Sequence, residues 1–116
     1  MRFSSACRLN NAHDYSAVFD KGQRFYLKAG MYIILINSLN NARLGLIIAK
    51  KKIRRANQRN YLKRVQREWF RQLQLKLLGY DIVFVANHKV AQLCQDEWFT
   101  CCQADWQYLT KRLARA

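Results

Sequence analysis

The sequence contains no proline and only four glycines among its 116 residues. Linkers between domains are usually rich in these residues, and no such stretch interrupts the chain. Internal repeats and low-complexity tracts are absent from the sequence as well. Because 51% of the residues are apolar, the chain has enough material for one hydrophobic core. We therefore expect residues 1–116 to form a single domain.

Long hydrophobic runs are also missing. No apolar segment approaches the roughly 18 to 20 residues that span a bilayer, and the N-terminal residues lack the apolar region of a signal peptide. We therefore expect a cytoplasmic protein. The four cysteines are scattered or adjacent, so in a reducing compartment they are expected to be buried thiols rather than disulfides. They are Cys7, Cys94, Cys101 and Cys102.

Acidic residues are scarce, and they form no cluster. The seven Asp and Glu residues are dispersed along the sequence, which does not predict the paired metal ions of a protein nuclease. His13 and His88 stand in no pattern that pairs a base with a nucleophile. The spacing between His88 and the cysteines is not that of a zinc site. We therefore predict no catalytic residue, no metal site and no cofactor bound by the protein itself.

Basic residues are abundant instead: 21 Lys and Arg give the chain a formal charge of +14. Ten of them lie between Lys50 and Arg71 with a single acid, a net +9. Arg59, Lys63 and Arg67 repeat there at four-residue spacing, and such like-charged neighbours destabilise an isolated helix. A bound polyanion explains this pattern better than a solvated face, and nucleic acid is the first candidate. A membrane is the alternative polyanion, but the N-terminal residues carry neither a basic amphipathic helix nor a lipidation signal.

Hydrophobic periodicity and turn residues predict the element order αβββαβα. Asn11 is the expected N-cap of a first helix that ends near Gly22. Asn57 is the expected N-cap of the basic helix, and Asn40 the centre of a turn that joins two buried strands into a hairpin. The predicted strands are Arg24–Leu27, Met31–Ile36, Leu44–Ala49 and Asp81–Ala86, and the later helices run from about Gln58 to Leu73 and from about Asp96 to Arg112.

The basic window carries a family resemblance. A strand that ends in Lys50, Lys51 and Lys52 is followed by Arg59, Asn60, Lys63, Arg64, Arg67, Glu68, Phe70 and Arg71. This order and spacing resemble the signature of the bacterial ribonuclease P protein. Tyr15–Arg24 and Tyr80–Ala86 are similar to the first helix and turn and to the last strand of that family. The departure is Tyr61, which stands where the family usually has an arginine and offers a ring that can stack on a base or sugar.

The resemblance implies an α/β sandwich (an α+β sandwich) with a four-stranded sheet, helices on one face and a left-handed βαβ crossover. It also implies a ribonucleoprotein in which a catalytic RNA, with Mg²⁺, removes the 5′ leader of precursor tRNA, without a membrane or an obligate protein partner. A cleft between the first helix and the sheet is expected to bind the leader through Tyr15, Phe19, Arg24 and Tyr32. The residues expected to bind RNA are Lys50, Lys51, Lys52, Arg54, Arg55, Asn57, Arg59, Asn60, Lys63, Arg64, Arg67 and Arg71.

Two other functions are compatible with the sequence. A structural ribosomal protein of similar size and basicity would bind rRNA and assist no cleavage. A self-sufficient basic nuclease would cleave RNA without any RNA subunit. Stimulation of the catalytic RNA distinguishes the first alternative from a ribonuclease P protein, and cleavage by the purified protein alone distinguishes the second.

Overall fold

A computed structural model describes residues 8–9 and 11–114 of the chain. The elements are α1 (Ala12–Lys21), β1 (Gln23–Tyr26), β2 (Gly30–Ile36), β3 (Arg43–Ile47), α2 (Ala56–Gln72), β4 (Tyr80–Ala86), α3 (His88–Ala91) and α4 (Trp98–Ala114). Short 3-10 turns precede β4 and α4. The predicted order is confirmed, with α3 as an addition. A single turn of four residues is too short to show a hydrophobic period, so α3 could not be predicted from the pattern of apolar residues.

The two helices near the predicted sites begin in different ways. At α1 the side chain of Asn11 accepts a hydrogen bond from the Asp14 N–H over 2.9 Å, so the predicted cap is confirmed. At α2 the helix begins at Ala56, and the N-cap is Arg55, which provides no side-chain cap. The side chain of Asn57 instead accepts from the adjacent Gln58 N–H. The prediction that Asn57 caps the basic helix is therefore wrong.

The strand order in the sheet is β1-β2-β4-β3. β2 pairs antiparallel with β1 and with β4, whereas β3 pairs parallel with β4. The predicted hairpin of β2 and β3 is therefore wrong, because β4 lies between them, and the hairpin is formed by β1 and β2. Turn residues indicate where the chain reverses, but they do not indicate which later strand inserts between two buried neighbours.

The helices pack on both faces of the sheet. Side chains alternate along a strand, so Tyr32 lies in the larger core, which includes residues of α2 and α4, while Ile33 lies in a smaller core with Val18 of α1 and Val83. The expectation of helices on one face holds for α2 and α4, but α1 occupies the other face. This arrangement leaves the sheet surface beside α1 accessible.

The described cysteines differ in burial. Cys101 and Cys102 are buried as free thiols, but Cys94 is exposed, so the expectation of burial is wrong at that position. Cys94 lies outside the regular helix, just before the turn that leads into α4. Cys7 lies outside the described residues. Within residues 8–9 and 11–114, no helix combines the length and apolarity needed to cross a membrane.

Candidate nucleic-acid interface

The twelve residues predicted to bind RNA follow the turn after β3 and then α2, and we call them the basic surface. Eight are exposed: Lys50, Lys51, Lys52, Arg54, Arg55, Asn57, Asn60 and Arg64. Four are half-buried: Arg59, Lys63, Arg67 and Arg71. The opposite side of α2 carries Leu62, Val65, Gln66, Trp69 and Phe70, all buried. Packing of that apolar side therefore fixes which side of the helix presents its charges.

The lysine-rich turn between β3 and α2 is held in a defined shape. Ile53 is 1% exposed and anchors the turn in the core, and its N–H donates to the Ala49 carbonyl over 3.1 Å. From α2, the Nη1 atom of Arg59 donates to the carbonyls of Ile53 and Arg54 over 2.9 and 2.7 Å. Arg59 thus fixes the turn that presents Lys50. Its expected contact with RNA remains a prediction.

One end of α2 carries an internal ion pair. The Arg71 guanidinium donates two hydrogen bonds to the Glu68 carboxylate, of 2.6 and 3.1 Å. Hydrogen bonds from Arg71 and then Gln72 lower the pKa of Glu68 to about 2. The carboxylate is therefore ionised at neutral pH and offsets the charge of Arg71. The uncompensated charge of the basic surface lies toward the start of α2.

Tyr61, the departure from the family pattern, is engaged by its neighbours. Its ring stacks on Trp98 of α4 with a centroid separation of 6.1 Å and an interplanar angle of 30°. The guanidinium of Arg64 lies 5.7 Å from the centroid of the Tyr61 ring, within the range of a cation–π contact. Tyr61 therefore packs α2 against α4 and supports the guanidinium of Arg64. Arg64 lies one helical turn after position 61, where the family usually has an arginine.

A small cavity brings together side chains from both predicted sites, and we call it the bridging pocket. Its volume is about 140 Å³, and it is lined by Arg8, Leu9, Tyr15, Leu44, Leu46, Lys63 and Arg67. Burial and the nearby charge of Arg8 lower the pKa of Arg67. Proximity of cations in a confined space favours an anion there. Sequence reasoning missed Arg8, since an isolated cation before the first helix has no distinguishing pattern.

An open groove runs between α1 and β3, and we call it the α1–β3 groove. Its volume is about 640 Å³, and its lining residues are Ala12, Tyr15, Ser16, Phe19, Asp20, Leu46 and Ile47. Tyr15 packs against Gly45, where a Cβ atom would lie 2.7 Å from the Tyr15 hydroxyl oxygen. An isolated glycine within a predicted strand is a sequence signal for such a close approach. The groove thus contains two of the three aromatic residues that were predicted to contact the leader, Tyr15 and Phe19.

The other two predicted leader contacts are placed differently. Arg24 lies beside Phe19: its Nη2 atom donates to the Phe19 carbonyl over 3.2 Å, and its guanidinium carbon is 6.0 Å from the ring centroid. Tyr32 is fully buried in the core between the sheet and α4, and its hydroxyl donates to Asp105 over 3.1 Å. Tyr32 therefore does not fit a leader contact, because the side chain at that register points away from α1.

An ion cluster fixes α1 against the sheet. Arg43 on β3 donates to both oxygens of Asp81 on β4, over 2.8 and 2.6 Å, and to Asp14 on α1 over 3.3 Å. The hydrogen bond with Asp81 is the main reason why the pKa of Arg43 is raised. Asp14 immediately precedes Tyr15, so this cluster positions one wall of the α1–β3 groove. Sequence reasoning missed it because its members are far apart along the chain.

Known proteins resemble this chain in sequence over nearly its whole length. The family model described as Ribonuclease P matches residues 3–113. The ribonuclease P protein component of Marinomonas sp. (strain MWYL1) is 36% identical over 113 residues, covering 95% of this chain and 84% of the relative. That of Salmonella arizonae is 40% identical over 93 residues, covering 80% of this chain and 78% of the relative.

Solved structures show the same fold. The RNase P protein of Staphylococcus aureus superposes with a TM-score of 0.80 at 22% identity, covering 90% of this chain and 96% of that chain. The RNase P protein of Thermotoga maritima superposes with a TM-score of 0.70 at 26% identity, covering 94% and 96%. With the sequence match extending across the basic surface and the α1–β3 groove alike, the chain belongs to the ribonuclease P protein family.

Proposed function

We propose that this ribonuclease P protein subunit binds the catalytic RNA through the basic surface and the 5′ leader of precursor tRNA through the α1–β3 groove. The bridging pocket is the observation that carries the proposal. Tyr15 of the groove lines it together with Lys63 and Arg67 of the basic surface. The two surfaces are therefore continuous, so one RNA–protein interface extends into a channel suited to a single strand.

The groove has the chemistry that a single-stranded leader requires. Tyr15 and Phe19 lie one helical turn apart on α1 and offer aromatic faces for stacking, which tolerates any base. Arg24, beside Phe19, adds a cation for the RNA backbone. A mature tRNA lacks the leader and forms none of these contacts. The groove therefore raises the affinity for precursor tRNA above that for the mature product.

We assign the chemical step to the RNA subunit, together with the Mg²⁺ that supports hydrolysis. The proposal follows from the protein's side chains: His13 on α1 and His88 on α3 are both exposed. Neither has a nucleophile or an orienting carboxylate among its hydrogen bonds to described residues. The protein neutralises phosphates and positions the substrate, and the endoribonuclease activity belongs to the complex.

Reconstitution tests this function. The protein is mixed with the catalytic RNA and precursor tRNA at low Mg²⁺, where cationic side chains are most needed to neutralise phosphates. We expect the protein to increase cleavage at the leader junction, and purified protein alone to be inactive. Absence of stimulation would favour the ribosomal-type alternative, and cleavage without the RNA subunit would favour the self-sufficient nuclease.

A further inference from the structure

A second cavity lies away from the basic surface and the α1–β3 groove. Its volume is about 680 Å³, and it is formed by the end of β1 and the following turn, by α3 and the residues after it, and by α4. The lining residues are Tyr26, Leu27, Lys28, Lys89, Leu93, Ala104, Asp105 and Tyr108. None of them belongs to the surfaces described above.

Two aromatic residues at this cavity are exposed although both belong to regular secondary structure. Tyr26 ends β1 and is 75% exposed, and Tyr108 lies on α4 and is 45% exposed. The Tyr108 ring meets the buried Phe25 edge-on, with centroids 6.4 Å apart and an angle of 72°. This contact restrains the Tyr108 ring, while the residue keeps 45% of its surface exposed and available to a ligand.

Two lysines supply positive charge at the same cavity. Neither Lys28 nor Lys89 forms an ion pair with a carboxylate of the described residues. Asp105 is the acid in the wall, but it is 3% exposed, and its oxygens accept from the N–H groups of Lys28 and Ala29. Glu97 lies on the adjoining surface, beyond Lys28. The exposed charge at the mouth is therefore cationic.

We propose that this cavity binds one unpaired nucleotide of RNA, with the base against the rings of Tyr26 and Tyr108 and the phosphate beside Lys28 and Lys89. Aromatic faces combined with cations are the combination that binds single-stranded nucleic acid without base preference. The inference rests on the proposed function only in taking RNA as the ligand. The nucleotide belongs either to the catalytic RNA or to precursor tRNA, and the experiment distinguishes these sources.

The test combines lysine footprinting with a double variant of the full-length protein. Acetylation of Lys28 and Lys89 is measured by mass spectrometry with the catalytic RNA, with precursor tRNA and without RNA; the exposed Lys76, in the turn before β4, serves as reference. In parallel, RNA affinity is measured for Tyr26→Ala combined with Lys89→Gln. The matched control combines Leu75→Ala with Lys76→Gln, which also removes one exposed apolar side chain and one lysine.

We expect one of the two RNAs to protect Lys89 but not Lys76. The double variant should bind that RNA about tenfold more weakly, because it loses one stacked base and one phosphate contact. The control variant binds as the unaltered protein does. The proposal is overturned if neither RNA protects Lys89, or if the double variant retains full affinity for both RNAs. In that case, stimulation of the catalytic RNA by the same protein would show that the proposed function stands without this site.

Discussion

The side-chain amide of Gln66 donates a hydrogen bond of 2.9 Å to the hydroxyl of Tyr32, and both side chains are 0% exposed. The Tyr32 hydroxyl donates in turn to Asp105, and the Trp106 indole N–H donates to the Gln66 carbonyl oxygen. Gln66 is on α2, Tyr32 on β2, and the other two residues on α4. This buried network fixes the rotation and register of the basic helix against the sheet, because unsatisfied polar groups in the core are costly.

Replacement of Tyr32 by phenylalanine tests the network. Tyr32→Phe leaves the ring in place but removes the hydroxyl that accepts from Gln66 and donates to Asp105. We therefore expect the free energy of unfolding to fall by about 1 to 3 kcal/mol. Denaturant titration measures the loss. The half-exposed Tyr108 makes no hydrogen bond to a described residue through its hydroxyl, so Tyr108→Phe is the control and should be nearly neutral. Equal stability of the two variants would contradict a stabilising role for the network.

Gly45→Ala tests the placement of Tyr15 in the α1–β3 groove. An added Cβ would lie 2.7 to 2.8 Å from three atoms of the Tyr15 side chain, so the ring has to move. We expect the preference for precursor over mature tRNA to fall by about tenfold, the value of one stacked base. Tyr15→Phe, which keeps the ring, should retain the preference.

A double-mutant comparison establishes whether the glycine acts through that ring. In a Tyr15→Ala background, Gly45→Ala should have no further effect on the preference, because the stacking face is already gone. Fully additive effects of the two substitutions would mean that Gly45 influences leader binding by another route.

Asp105 gives stability an unusual pH dependence. Burial raises its pKa above the ordinary value of 3.8, so the folded protein binds this proton more tightly than the unfolded chain does. The contribution of Asp105 to the free energy of unfolding therefore falls as pH rises from 3.8 through the raised pKa. Glu68 acts in the opposite direction, since its pKa is lowered and its contribution is lost as pH falls toward about 2.

Comparison with Asp105→Asn isolates this contribution. Urea unfolding is measured at several pH values upward from the ordinary pKa of 3.8, because the raised pKa of Asp105 acts above that value. The variant should lack the decline with rising pH that Asp105 causes, so the difference between the two proteins changes across the range. The exposed Asp20→Asn serves as control. A difference that stays constant over the whole range would exclude a raised pKa at Asp105.

Much of the fold could be predicted from local signals. Asn11 caps α1 as its side chain predicted, and the apolar positions at Leu62, Val65 and Trp69 are the buried face of α2. The pairing of the strands could not be predicted in this way. Nothing near Asn40 indicates that β4 will separate β2 from β3, since that arrangement depends on a crossover through α2.

The candidate site was predictable where composition alone identifies it. Consecutive cations such as Lys50 and Lys51 mark the basic surface without any knowledge of the fold. The contacts that join the surfaces are long-range. Arg8 and Arg67 line the same pocket although more than half of the described sequence separates them. Tyr32 was wrongly predicted to contact the leader, because it lies on the side of the sheet that faces α2 and α4. Side chains alternate along a strand, so a shift of one position reverses the side that a residue faces.

The most direct test of RNA binding by the basic surface is the salt dependence of binding to the catalytic RNA. Combined Lys63→Gln and Arg64→Gln remove two cations of the basic surface, while Lys76→Gln and Lys111→Gln remove two exposed lysines elsewhere. If the basic surface binds RNA phosphates, the first pair of substitutions weakens binding and reduces the slope of log K against log[salt] by about 1 per lost phosphate contact, while the second pair changes neither. Unchanged affinity and slope for the first pair, or equal losses for both pairs, would show that the basic surface is not the site of RNA binding.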